Sequence, residues 1–254
     1  MKKFNLVFIS LVFLLFAGGC NLNLRDMGIP FVATSTFTPL PPVPSTPTPT
    51  YPPKPAFPSG DLQTTILEND ATLFTDTEFA HQVTLPPEWL VFVTGLPLEE
   101  QLTAAFGSEV PEEIRSLLTA ASEQPGTRFV AVDYTYKYDP HSPASITLIF
   151  ATDREAADLD MLDVLEKNIE VVPTLMPGSA VIYQNVQTNS NGLEYGKMVI
   201  NQTDETNNIP TKRVITLFKV PDGLLLLIGS TSDEYYNAFE TPFQKVVNSV
   251  KPLD

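Results

Sequence analysis

The chain has 254 residues and a formal charge of −15, with 15 basic against 30 acidic side chains, 24 prolines and one cysteine. That balance argues against nucleic acid as a partner, because phosphate binding draws its affinity from clustered Lys and Arg. A single cysteine excludes an intramolecular disulfide and a Cys-based zinc site.

The first residues are read as a targeting segment. Lys2 and Lys3 form a positive start, and Phe4 to Phe16 (FNLVFISLVFLLF) is apolar apart from Asn5 and Ser10. This run is shorter than the roughly 20 residues a membrane-spanning helix needs, so residues 1–19 read as a cleaved signal peptide. Ala17-Gly18-Gly19-Cys20 resembles the lipobox of bacterial lipoproteins, with Ala17 where leucine is usual. The resemblance implies cleavage before Cys20 and lipid attachment, palmitate included, at Cys20. Two or more acyl chains anchor a protein stably to a membrane, whereas one binds only marginally. Asn21 is not the aspartate that retains such proteins at an inner membrane, so the expected location is a cell membrane or outer membrane, facing outside the cytoplasm. Loss of Lys2 and Lys3 would bring the charge to −17.

Residues 20–60 are expected to form a lipidated N-terminus and a Pro/Thr-rich stalk. Eleven prolines fall between Pro30 and Pro58, and proline fixes φ and removes a donor, which favours a semi-rigid polyproline II spacer. The remainder, 61–254, is long enough for one domain with a sizeable core.

Phe79 to Leu85 alternates, placing Phe79, His81, Val83 and Leu85 on one strand face, and Pro86-Pro87 ends it. Trp89 opens an apolar run. Helices are predicted at about Leu98 to Phe106 and about Pro111 to Ser122, the second with Pro111 at N1 and Glu112 and Glu113 in the first turn. Strands follow at about Arg128 to Thr135 and Ser145 to Ala151. Leu159, Leu162, Leu165, Ile169 and Val172 then mark an amphipathic helix over Ala157 to Val172. A four-stranded meander is expected from Val181 to Ser230, with a type I′ turn at Asn191-Gly192. Its last strand, Leu224 to Ser230, carries the unbroken apolar run Leu224 to Ile228 and should be buried on both faces. From Asp233 to Val250 a helix or a broken pair is expected, Pro242 favouring a break with Thr241 as N-cap. The fold class is therefore α/β (α+β), an antiparallel sheet covered by helices on both faces.

Pro87-Glu88-Trp89 and the closing segment YYNAF to FQKVVNSVK resemble the PsbP-like domain over roughly Phe74 to Lys251. The resemblance implies an α/β/α sandwich and an accessory, non-catalytic role; the helical insert departs from the plant members of that family.

No catalytic set stands out. His81 lies on an apolar strand face and His141 in a proline-rich turn, too few for an ordinary metal site. Gly229-Ser230-Thr231-Ser232 reads as a strand end with Ser232 capping a helix, not a nucleophile elbow. Gly192 to Met198 has neither the spacing nor the hydroxyl of a P-loop. Asp158, Asp160 and Asp163 lack the glycine and terminal glutamate of an EF-hand and suit the start of a helix. The expectation is a non-enzymatic tethered domain that needs no cofactor or metal and binds a protein or another envelope component. An extracytoplasmic hydrolase with its pocket at the insert 98–122 is the alternative, and a two-lobed solute-binding protein is disfavoured.

Overall fold

In the computed structural model, residues 54–57, 60–140, 142–204 and 209–253 are described. The segment expected to be a signal peptide, Cys20, most of the expected stalk and His141 lie outside the described residues. The described residues form a mixed α+β fold of two antiparallel sheets and four helices.

The small sheet has the order β1-β2-β3-β11, from β1 (Leu62–Ile66), β2 (Thr72–Asp76), β3 (His81–Leu85) and β11 (Lys251–Pro252). The large sheet has the order β4-β5-β6-β10-β9-β8-β7. Its strands are β4 (Trp89–Val93), β5 (Thr127–Asp133), β6 (Ser145–Thr152), β7 (Ala180–Thr188), β8 (Glu194–Asp204), β9 (Ile209–Val220) and β10 (Gly223–Ser232). The helices are α1 (Leu98–Phe106), α2 (Glu112–Ser122), α3 (Met161–Leu175) and α4 (Tyr236–Ser249).

Strand β10 sits mid-sheet between β6 and β9, and its apolar run fills both faces. Leu225 and Leu227 join one cluster with Phe239, Phe243, Val246 and Val247 of α4 and with Phe74, Val83 and Leu85 of the small sheet. Leu224, Leu226 and Ile228 join another with Val164, Leu165 and Val172 of α3. Further along the second face, α1 and α2 cover Leu90, Phe92, Val130 and Val132. Each large apolar side chain buried this way contributes roughly 1.5–3 kcal/mol. Gly229 permits the closeness of α4, since a Cβ there would stand 2.7 Å from the Phe243 ring.

The small sheet was not expected beyond β3. Phe79 also leaves the predicted strand: the chain turns before it at Asp76, Ala80 adopts φ +50°, and the Phe79 ring stacks on Phe150 at 3.6 Å. His81, Val83 and Leu85 face inward as the alternation requires. Pro55 is buried and Phe57 bridges to Thr64, its N–H donating to the Thr64 carbonyl at 3.3 Å and its carbonyl accepting from Thr64 N–H at 2.9 Å.

Helix α4 is continuous through Pro242, so the predicted break and the Thr241 cap are corrected. The proline ring is itself buried, and the row Phe239, Phe243, Val246, Val247 packs on the sheet. That packing outweighs the roughly 3 kcal/mol an internal proline costs. Pro173 likewise lies inside α3, which runs three residues past the predicted end. The β7–β8 connection is not a type I′ turn, because only Gly192, at φ +80°, has the positive φ that such a turn needs at both central residues. Its asparagines instead cap α4: Asn189 Nδ2 donates to the carbonyls of Val247 (3.2 Å) and Val250 (2.8 Å), and Asn191 Nδ2 to those of Asn248 (3.1 Å) and Val250 (3.0 Å).

One ion pair ties the sheets together. Arg128 of β5 donates from Nε to Asp76 Oδ2 at 2.7 Å and from Nη2 to Asp76 Oδ1 at 3.2 Å, with side chains 14 % and 0 % exposed. Asp76 Oδ1 also accepts the backbone N–H groups of Glu78 and Phe79, at 3.0 and 3.2 Å. Breaking such a pair leaves a buried carboxylate uncompensated. Arg128→Met should therefore lower the unfolding free energy by about 3–5 kcal/mol in urea titration; a loss below about 1 kcal/mol would mean that the pair behaves as an exposed one.

Candidate functional site

Helix α3 presents Val164, Lys167, Asn168, Val171, Thr174 and Leu175 along one flank, at the three- and four-residue spacing that aligns side chains on a helix. Facing it is the segment Asp153 to Leu159. Asp153 Oδ1 accepts the backbone N–H groups of Glu155 and Ala156, both at 3.1 Å, which starts a short 3₁₀ turn over Ala156–Asp158. Lys219 of β9 then donates from Nζ to the Leu159 carbonyl at 2.7 Å and fixes the end of the segment. Between flank and segment lies a pocket of about 150 Å³, walled by Ala156, Leu159, Val164, Val171 and Leu175, with polar groups at its rim. Asn168 lies within the wall, its Nδ2 donating to the Val164 carbonyl at 2.8 Å. Pro173 offers no N–H to the Ile169 carbonyl, so that carbonyl lacks its usual helical partner beside the pocket.

A second constellation lies on the opposite face, where the edge strand β7 meets α4. Lys197 of β8 is buried, and its Nζ donates to Glu240 Oε1 at 3.3 Å and Gln244 Oε1 at 3.2 Å. The half-exposed Tyr183 ring lies 5.9 Å from that ammonium. Tyr183 Oη accepts from Asn185 Nδ2 at 3.3 Å and Gln187 Nε2 at 3.2 Å. Tyr195 donates to Gln187 Oε1 at 2.6 Å and accepts from Gln244 Nε2 at 2.9 Å. Burial raises the Tyr195 phenol, and burial with the neighbouring Glu240 carboxylate raises that of Tyr236. Both hydroxyls stay protonated and act as hydrogen-bonding groups. The amine donates to two side chains of α4, so the arrangement fastens the β7–β8 hairpin to that helix.

The sequence-derived candidates fall as follows. Gly192 to Met198 spans the hairpin turn and β8, with Lys197 in the network just described. Gly229 to Ser232 ends β10; Ser232 stands at the N-cap position of a 3₁₀ turn but makes no side-chain cap bond, and its N–H donates to Asp139 Oδ2 at 3.2 Å. Asp158 lies in the 3₁₀ turn, Asp160 just before α3 and Asp163 in its first turn. Among the described residues no group of three His, Cys, Asp or Glu is placed to hold a metal. Buried Asp133 accepts from Thr135 N–H (3.0 Å), Thr135 Oγ1 (2.6 Å) and Tyr138 N–H (3.0 Å), which shapes the turn after β5. At the insert, Gln101 is buried and bridges Val93, accepting from its N–H and donating to its carbonyl, both at 2.9 Å. The pocket described above lies at α3, whereas the alternative reading looked for one at the insert 98–122. No residue pattern marks this pocket, because it is the space left between a helix and the segment facing it.

His81 is almost fully buried between β2 and β11, opposite Asp76 in the strand register and 6.1 Å from the Phe74 ring. The Phe79 backbone lies near it, yet neither ring nitrogen makes a hydrogen bond of normal geometry. Burial lowers its pKa, an effect partly offset by Asp76 and reinforced by Arg128.

The chain matches no family model and no curated protein. Its backbone arrangement is similar to that of a number of solved structures, among them the following. Cyanobacterial PsbP (CyanoP) from Synechocystis has a TM-score of 0.47 at 13 % identity, covering 74 % of this chain and 95 % of that one. LpqN of Mycobacterium tuberculosis, described as involved in cell envelope biogenesis, has a TM-score of 0.44 at 13 % identity, covering 77 % and 93 %. A protein of unknown function from Pseudomonas aeruginosa has a TM-score of 0.41 at 10 % identity, covering 72 % and 98 %.

The state of His81 makes a pH prediction. Unfolded, it takes up a proton near its ordinary pKa of about 6.5; folded, it resists to a lower pH. The unfolded state then binds more protons, so stability falls as pH drops below about 6.5, by at most about 1.4 kcal/mol per pH unit. Urea midpoints between pH 7.5 and 5.5 should decline in the native chain and flatten in His81→Leu; parallel curves would remove the assignment.

Proposed function

We propose that this chain is a lipoprotein held outside the cytoplasm by acyl chains on Cys20, carrying a PsbP-like, non-catalytic binding domain at the end of a proline-rich stalk. The partners on this reading are a membrane, through the lipid, and a protein or other component of the cell envelope. The observation that carries the binding role is the pocket beside α3. It is concave and mainly apolar, as small-molecule sites are, and its lining contains no Ser, Cys or His. Its one hydroxyl is Thr174, with no histidine there to activate it. For the anchor, the support is the run from Lys2 to Cys20 read from the sequence. No helix among the described residues is long and apolar enough to cross a membrane.

Expressed in its bacterial host, the chain should sediment with membranes and release with detergent, and Cys20→Ala should shift most of it out of the membrane fraction. Mass spectrometry of the mature protein should find Cys20 at the N-terminus with acyl mass added. An intact, unacylated Met1 would overturn the anchor. Affinity capture from detergent-solubilised envelope tests the binding role separately, and recovery of no specific partner across several salt concentrations counts against a protein partner.

A further inference from the structure

The geometry of the α3 pocket points to a ligand class, and we propose that it binds a small uncharged molecule with an aromatic ring or compact hydrocarbon body and one neutral polar group at the mouth. This inference rests on the binding role argued above and gives that role its chemistry.

Size comes first. Protein interiors are packed densely enough that voids much larger than a water molecule are few, and an apolar cavity of about 150 Å³ in another protein takes benzene. The space between α3 and Asp153–Leu159 is about 150 Å³. Two contacts stop it from collapsing. The Asp153 carboxylate bends the chain into the 3₁₀ turn, and Lys219 pins the Leu159 carbonyl to β9, so the segment is held away from the helix.

Wall chemistry comes next. Ala156, Leu159, Val164, Val171 and Leu175 supply aliphatic surface and no ring, which suits a body recognised by shape and burial. Thr174 supplies a neutral hydroxyl at the edge and Asn168 a neutral amide within the wall.

Charge decides between neutral and ionised ligands. The rim carries Lys167 against Asp153 and Glu155, and the whole chain carries −15. An anionic head, such as a fatty carboxylate, meets one cation outnumbered by two carboxylates in a repelling field. A cationic head gains little either, because Asp153 already accepts two backbone N–H groups and Glu155 is exposed. Burying an ionised group without a buried counter-charge is unfavourable.

The test uses the full lipidated chain in phosphatidylcholine vesicles, with unfolding followed through Trp89, the one tryptophan. Benzyl alcohol and cyclohexanol are the neutral probes, and heptanoate and benzylamine the charged ones. At about ten times the dissociation constant, a neutral probe should raise the melting temperature by roughly 3 °C. Val171→Phe and Ala156→Leu, which fill the pocket from opposite walls, should each abolish that shift. Saturation transfer from methyl protons of the native chain to the benzyl alcohol ring provides a readout that needs no variant. The class is overturned if neither neutral probe shifts the native chain, if the charged probes shift it equally, or if both folded variants still respond. Any of these leaves the membrane and envelope-capture results untouched, so failure of the ligand class is distinguishable from failure of the binding role.

Discussion

Everything in this fold follows from the need to bury β10 on both faces. Five consecutive apolar residues, Leu224 to Ile228, cannot alternate with water, so a second layer is required above the sheet and a third below it. The chain meets the requirement with unlike layers. Helix α4 and a small second sheet occupy one side, and α3 with the α1–α2 pair the other. The pocket arises between one of these covers, α3, and the segment that follows β6.

Holding the layers in place falls to a few polar contacts with long sequence separation. Arg128 reaches Asp76 across 52 positions, and Asn189 and Asn191 reach the end of α4 across 57 to 61. Lys197, Asp133 and Asp139 each look reactive in isolation, and each has protein partners in place. The pocket beside α3 differs because its wall is mostly aliphatic.

Periodicity made the long elements legible. Strand β3 shows as an alternation of two and α3 as a repeat of three and four, β4 and β10 show as unbroken apolar runs, and the double-sided burial of β10 follows directly from its composition. The small sheet was hidden because its strands are short and threonine-rich. In β2, Thr72 and Asp76 share the buried positions with Phe74, so no apolar alternation shows. Local preference predicts helix boundaries at Pro173 and Pro242, and tertiary packing that only the folded chain supplies overrides it. The Asn191-Gly192 pair marked a turn correctly but not its type, since the asparagine amides serve α4. The pocket was invisible for a different reason: it is space left between two elements, and no residue pattern encodes the distance between a helix and a loop.

The path of the chain into the domain sets a direction. Lys54 reaches the Asp70 carbonyl in the turn between β1 and β2, and Asp70 lies at the end of the small sheet where Pro86 leads into β4. In the large sheet's register, the start of β4 lies beside the end of β5 and the start of β6, whereas the pocket segment leaves the far end of β6. Eight strand residues, about 26 Å of backbone, therefore separate attachment from opening. On the proposed tether, the point of attachment and the pocket lie toward opposite ends of β6. Tension on that tether would strip the small sheet before it disturbed the pocket.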